Sequence, residues 1–307
     1  MDLDERAGQL FDNRYRIDGK VGEGGMAVVY SAHDTHTDEK VAVKILLPTL
    51  TDDPVALARL RREAELGARL AHPNLCHIIR LGETSAGQQY AVMPFMQGEM
   101  LCERVWRSGQ LPLEMAVRIV LDVCAGLQLA HALGIIHRDL KPENVMLVVD
   151  GNGGERAVVL DFGLATARQE SPGMQKLTKT GMVVGTPDFM SPEQMRGKPL
   201  DQRSDVYSLA FMTYEMLTGA LPFGGATLRE MAMARIKGES IPIRTQRPDL
   251  DFPVAIERVL IKALAADAEQ RYGTALEFGA AFSQAAGGQL MNGTARRGIL
   301  GWIKRGA

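Results

Sequence analysis

Residues 134–147 read GIIHRDLKPENVML. His137, Arg138, Asp139, Lys141 and Asn144 fall within eight residues, directly after Ile135 and Ile136. That much charge does not suit a buried strand, and the apolar flanks do not suit a free surface loop. A short polar loop held between apolar anchors is where a rigid scaffold positions chemical groups. The rest of the chain decides which chemistry.

The chain has 307 residues, 46% of them hydrophobic and 23% charged, an ordinary globular composition long enough for two cores. A net charge of −2 gives no basic field for nucleic acid. Cys76, Cys102 and Cys124 are odd in number and share no metal-ligand spacing, so they read as reduced thiols in a cytoplasmic protein. The start, MDLDERAGQL, is acidic and polar, unlike a secretory signal. No apolar run approaches the roughly 20 residues that span a bilayer.

The first third alternates apolar and polar residues, as in RYRIDGKVGEGGMAVVYSAHD and EKVAVKILLP. A period of two predicts antiparallel strands. One helical stretch interrupts them, DPVALARLRREAELGARLAH, with Asp53 as its cap, Pro54 in its first turn and His72-Pro73 as its stop. After Gly98 the spacing turns helical, as in LPLEMAVRIVLDVCAGLQLAHALG and SDVYSLAFMTYEMLTG. The expected division is an extension over 1–14, a strand-rich lobe over 15–95, a helical lobe over 96–285 and a Gly-rich, basic and apolar tail over 286–307.

Gly22, Gly24 and Gly25 sit at the turn between two expected strands. Glycine lets backbone N–H groups approach phosphate oxygens. A plain hairpin turn with glycine at positive φ is an equal alternative. A dinucleotide-binding loop needs a helix next, and AVVYSAHD reads as strand. Lys44 lies inside the apolar VAVKIL, where Val41, Val43 and Ile45 share one face and Ala42, Lys44 and Leu46 the other. Its ammonium either snorkels from an edge strand or is aimed at phosphates and held by a carboxylate. Glu63 is the candidate partner, with Glu65 its rival on another helix face.

In the polar loop Asp139 is the natural acceptor of a hydroxyl proton. Lys141 suits neutralisation of charge on a transferred group, and Asn144 offers an amide oxygen to a hard cation. AVVLDFGLA ends an apolar strand at Asp161, a carboxylate that suits Mg²⁺. Each residue alone equally suits a solvated turn; their joint occurrence in this order does not.

GEGGMAVVY, VAVK, HRDLKPEN, DFG, GTPDFMSPE and SDVYSL together resemble the signature of eukaryotic-type serine/threonine protein kinases of the bacterial branch, in that family's order over about residues 15–280. The resemblance implies an α+β bilobal protein-kinase fold. Its small lobe is an antiparallel sheet with one main helix, and its larger lobe is mainly helical.

It also implies roles. Gly22 and Gly24 cover the ATP phosphates, flanked by Val21 and Gly25. Val29 touches adenine, and Ala42 and Met146 sandwich it. Lys44 holds the α/β-phosphates and pairs with Glu63. Met93 is the gatekeeper before a hinge of Pro94, Phe95 and Met96, and Glu103 takes the ribose-contacting position. Asp139 is the catalytic base, Lys141 the γ-phosphate partner, and Asn144 and Asp161 the Mg²⁺ ligands, with Mn²⁺ as a substitute. Glu193 pairs with Arg271, and Asp205 braces the catalytic loop.

Three positions depart from the pattern. Ala27 replaces the third glycine, Pro94 stands where a hinge glutamate is common, and SPE replaces APE.

The implied reaction moves the γ-phosphoryl of ATP to a Ser/Thr hydroxyl of a protein, Lys141 and Thr186 marking that acceptor class. Thr178 and Thr180 match the positions that bacterial relatives phosphorylate, and Arg138 is the partner expected for such a phosphate. Autophosphorylation is the expected activation. The tail ARRGILGWIKRGA suits either an anionic membrane surface or a free end. The rival readings are a pseudokinase, a small-molecule phosphotransferase sharing the fold, and a nucleotide-gated scaffold.

Overall fold

The period-two pattern of the first third folds as an antiparallel sheet. In a computed structural model, residues 6–24, 27–47, 70–149, 153–161 and 189–287 are described. The chain divides into two units, 1–97 with 160–184 and 98–159 with 185–307. The second lobe was expected as one span, 96–285. Instead the chain returns to the first unit at Leu160, where Asp161 bonds Lys44.

Among the described residues the first unit holds six strands: β1 Leu10–Phe11, β2 Tyr15–Glu23, β3 Ala27–Asp34, β4 Glu39–Leu46, β5 Arg80–Glu83 and β6 Gln89–Pro94. Their order in the sheet is β1-β2-β3-β4-β6-β5. One face carries the core of Tyr15, Ile17, Val28, Tyr30, Val41, Val43, Ile45, Tyr90 and Val92, so every second residue of β4 from Val41 to Ile45 is inside. Leu46, assigned by alternation to Lys44's face, is buried as well.

Residues 10–11 were placed in the extension, but they join the sheet. Gly8 N–H donates to Ile17 O at 2.8 Å, Ile17 N–H donates to Gln9 O at 3.0 Å, and Phe11 packs edge-on to Tyr90 at 5.0 Å. A two-residue strand shows no period. The expected helix over 53–72 lies almost wholly outside the described residues, which omit 48–69.

Arg14 closes the first hairpin on Asp34 through two bonds, Nε to Oδ1 at 2.8 Å and Nη2 to Oδ2 at 2.7 Å. The Arg14 bond, helped by the His36 N–H, outweighs burial and lowers the Asp34 carboxyl to about 2. The folded chain therefore holds that proton less tightly than the unfolded chain, whose carboxyl titrates near 3.9, and acid favours unfolding. Asp34→Asn is expected to lower the urea midpoint at pH 6. Its gap from wild type should close as pH falls from about 4 to about 2; a constant gap would contradict the pairing.

In the second unit, strands β7 Gly98–Met100, β8 Val145–Val149 and β9 Glu155–Val159 form a small antiparallel sheet. The helices are α1 Leu101–Ser108, α2 Leu113–Ala132, α3 Pro192–Met195, α4 Gln202–Thr218, α5 Leu228–Lys237, α6 Ile243–Gln246, α7 Val254–Ala263 and α8 Ala275–Ala285. The centre is α4, buried on all sides from Ser204 to Tyr214, as a helix enclosed by others must be. Asp201 caps its start, and Gly219 ends it in the left-handed conformation. A Cβ at Gly219 would run into the Gly109 carbonyl, so only glycine fits. Among the described residues no helix is long and apolar enough to cross a membrane.

Candidate active site

In the first unit the sheet face opposite the core carries the candidate nucleotide groups. Lys44 lies between Val29 of β3 and Ala91 of β6, and Ala42 between Ser31 and Met93. Lys44 is therefore central in the sheet rather than on an edge strand, which removes the snorkelling alternative. Its Nζ lies 2.6 Å from Asp161 Oδ1, with 13% of the lysine side chain exposed. Asp161 takes a left-handed backbone, φ +59°, unusual for a residue with a side chain. Burial first, and the Asp161 charge after it, raise the Cys76 thiol to about 12.

Gly22 pairs with Val29 at the end of β2. Neither Gly22 nor Gly24 has a positive φ, and a Cβ on either would meet nothing within 4 Å among the described residues. Among the described residues neither a positive φ nor packing accounts for these glycines. What they supply is bare backbone open to a group from outside, as phosphate oxygens require. Ala27 is buried and paired with Leu46, and its carbonyl accepts Gly24 N–H at 2.9 Å. Val21 is exposed and Met93 buried. Phe95 and Met96 are half-buried just after β6, with the Lys40 Nζ 4.3 Å from the Phe95 ring centre.

In the second unit the polar loop is held from beneath by Asp205. Its Oδ2 accepts His137 N–H at 2.8 Å, and its Oδ1 accepts Arg138 N–H at 2.9 Å. His131 Nε2 lies 2.7 Å from the same Oδ2, with both side chains 1% exposed. Burial pushes the Asp205 carboxyl up; the His131 bond, the charges of His131 and His137 and the His137 N–H outweigh it and hold it below its ordinary value. Arg138 is left-handed at φ +67°, and its Nε is buried without a hydrogen-bond partner among the described residues.

The other end of the loop holds the remaining candidate groups. Asp139 Oδ2 receives the Lys141 ammonium at 3.1 Å and Asn144 Nδ2 at 3.3 Å. Asn144 Nδ2 also donates to Asp139 O at 2.7 Å. With its amide nitrogen committed to Asp139, Asn144 keeps Oδ1 as its oxygen donor for a hard cation. Met146, on β8 opposite Met100, is half-buried. Glu103 lies in the first turn of α1 and accepts Met100 N–H at 3.3 Å, which gives it a capping role in its own helix.

Glu193 and Arg271 meet as expected, in a bidentate pair at 2.7 and 2.8 Å. Burial raises the Glu193 carboxyl; the Arg271 fork and the Ser204 hydroxyl, at 2.6 Å, outweigh it and hold it low. Sequence reasoning missed His131 and Gln194, whose Nε2 donates to Arg138 O at 2.6 Å. Gly25, Glu63, Thr178, Thr180 and Thr186 lie outside the described residues.

Known proteins resemble this chain over most of its length. The family described as the protein kinase domain matches residues 15–279. Serine/threonine-protein kinase pkn3 of Myxococcus xanthus is 37% identical over 277 residues, 90% of this chain and 51% of that protein. Serine/threonine-protein kinase PknB of Mycobacterium leprae is 40% identical over 280 residues, 90% of this chain and 44% of that protein. The chain thus spans about half the length of these curated relatives. Among solved structures, the Mycobacterium tuberculosis PknI kinase domain superposes with a TM-score of 0.71 at 27% identity, covering 91% of this chain and 99% of that one. Rad53 1-466 in complex with AMP-PNP gives 0.69 at 25% identity, over 87% and 64% of the two chains. The chain belongs to the protein kinase family, within its bacterial serine/threonine branch.

Proposed function

We propose that this chain transfers the γ-phosphoryl of Mg·ATP to serine and threonine hydroxyls of proteins. The observation that carries the reading is the Asp139–Lys141–Asn144 cluster on its Asp205 brace. Asp139 orients the acceptor hydroxyl and takes its proton, and Lys141 steadies the transferred phosphoryl. Lys44 and the open glycine backbone hold the nucleotide phosphates. Asn144 Oδ1 and the Asp161 carboxylate are hard oxygen donors that fit Mg²⁺, with Mn²⁺ as a substitute. The bound cation supplies charge neutralisation of the phosphates. Positioning and charge carry such a reaction, because the protein has little covalent work to do.

Activation rests on Thr178 and Thr180. A phosphate there carries about −1.5 to −2 charge and suits Arg138, whose buried Nε lacks a partner among the described residues. Purified wild type incubated with Mg·ATP alone is expected to gain phosphate at one or both threonines, and Lys44→Met to gain none. Phosphate on Lys44→Met without an added kinase would contradict autophosphorylation. Protein acceptors are the proposed partners. Equal pelleting with anionic liposomes, with and without residues 290–307, would remove the membrane reading of the tail.

A further inference from the structure

Arg138 is a strained residue beside the catalytic base, and its backbone is gripped from both sides. Asp205 Oδ1 accepts its N–H at 2.9 Å, while Gln194 Nε2 donates to its carbonyl at 2.6 Å. Gln194 belongs to α3, the short helix that starts within SPE, and is 56 residues away in sequence. Its amide can face only one way, because Oε1 accepts the Ser191 N–H at 2.9 Å and only Nε2 remains as donor. One side chain thus closes the capping box of α3 and pins the catalytic loop.

We propose that Gln194 is a positioning residue for phosphoryl transfer, holding Arg138 in its left-handed conformation and so setting the aim of Asp139. The inference rests on the kinase reading of the Asp139 loop. A non-glycine residue at φ +67° is strained and persists only where its surroundings determine it. Asp205 fixes the peptide before Arg138, and Gln194 fixes the peptide joining Arg138 to Asp139. Loss of the second grip frees rotation next to the catalytic carboxylate. The same bond ties Gln194, directly after the SPE triplet, to the catalytic loop.

Gln194→Glu separates the two roles. Glutamate is the preferred third residue of a capping box, so the Ser191 bond and helix stability persist. Facing the Arg138 carbonyl, however, is now a second acceptor instead of a donor. Ser191→Ala tests the opposite loss, weakening the cap while leaving the Arg138 bond. The experiment measures kcat and KM for ATP on a generic basic acceptor protein, with Tm, for wild type, Gln194→Glu, Ser191→Ala and Asp139→Asn. For Gln194→Glu we expect wild-type Tm and KM for ATP but a kcat lower by about 10- to 100-fold, the scale of a misplaced catalytic group. Ser191→Ala should keep kcat within a factor of about three as its Tm falls, because a lost cap costs stability rather than aim. Wild-type kcat in Gln194→Glu, or kcat tracking Tm across both variants, overturns the proposal. An inactive wild type, or full activity in Asp139→Asn, instead overturns the kinase reading itself.

Discussion

Asp139→Asn is expected to lower kcat by about 10²- to 10⁴-fold, the usual contribution of a positioned base. At 1.36 kcal/mol per decade, that is about 3–5 kcal/mol of barrier. The fold should survive. Asparagine has the same shape and can turn its oxygen toward Lys141 Nζ and Asn144 Nδ2, the two donors that meet Asp139 Oδ2. The charge and the proton acceptor are what disappear. KM for ATP should change little, since Lys44 and the glycines belong to the other unit. Steady-state kinetics with circular dichroism at matched temperature check this. A folded variant retaining more than about a tenth of wild-type kcat is incompatible with a base worth that much.

The largest stability effect is expected at Arg271. Its guanidinium has five N–H groups, and all find acceptors. Nε bonds Ala265 O at 2.8 Å, Nη1 bonds Glu193 Oε1 at 2.7 Å and Arg203 O at 3.1 Å, and Nη2 bonds Glu193 Oε2 at 2.8 Å and Ala266 O at 3.1 Å. It also lies 4.7 Å from the Tyr207 ring centre. The arginine side chain is fully buried and the glutamate 12% exposed. Arg271→Ala leaves a desolvated carboxylate and three carbonyls without this partner, which costs about 3–5 kcal/mol. For a unit of this size that lowers Tm by about 6–20 °C. Lysine supplies charge but not the fork, so Arg271→Lys should recover less than half of the loss. Calorimetry showing Arg271→Ala within 2 °C of wild type would sink the claim that this pair holds the SPE helix to the rest of its unit.

Local periodicity made the strands visible. In VAVKIL the alternation placed Val41, Val43 and Ile45 on one face and Lys44 on the other, and that first face is the one in the core, although Leu46 is buried as well. β1 and β7 were not legible because two or three residues carry no period. The return of the chain to the first unit at Leu160 was hidden for another reason. It depends on the bond between Lys44 and Asp161, 117 residues apart, which no local pattern records.

The site divides in the same way. Asp139, Lys141 and Asn144 were readable because they crowd one short loop, and chemistry leaves that signature when its groups are local. Glu193 with Arg271 could be paired only through the family resemblance. Gln194 had a visible helix-start signal in Ser191-Pro192-Glu193-Gln194, but its second bond, to Arg138, exists only once the chain has folded. For Glu103 the fold offers a local use as well, the N–H of Met100 one turn earlier.

The central claim is that a protein hydroxyl of one chemical kind receives phosphate from ATP. Phosphoamino-acid analysis of a protein acceptor, after incubation with purified enzyme, Mg²⁺ and γ-labelled ATP, tests it most directly. Label in phosphoserine and phosphothreonine, absent with Asp139→Asn, is the predicted result. Label confined to phosphotyrosine, or no transfer by folded, threonine-phosphorylated wild type, would contradict the account.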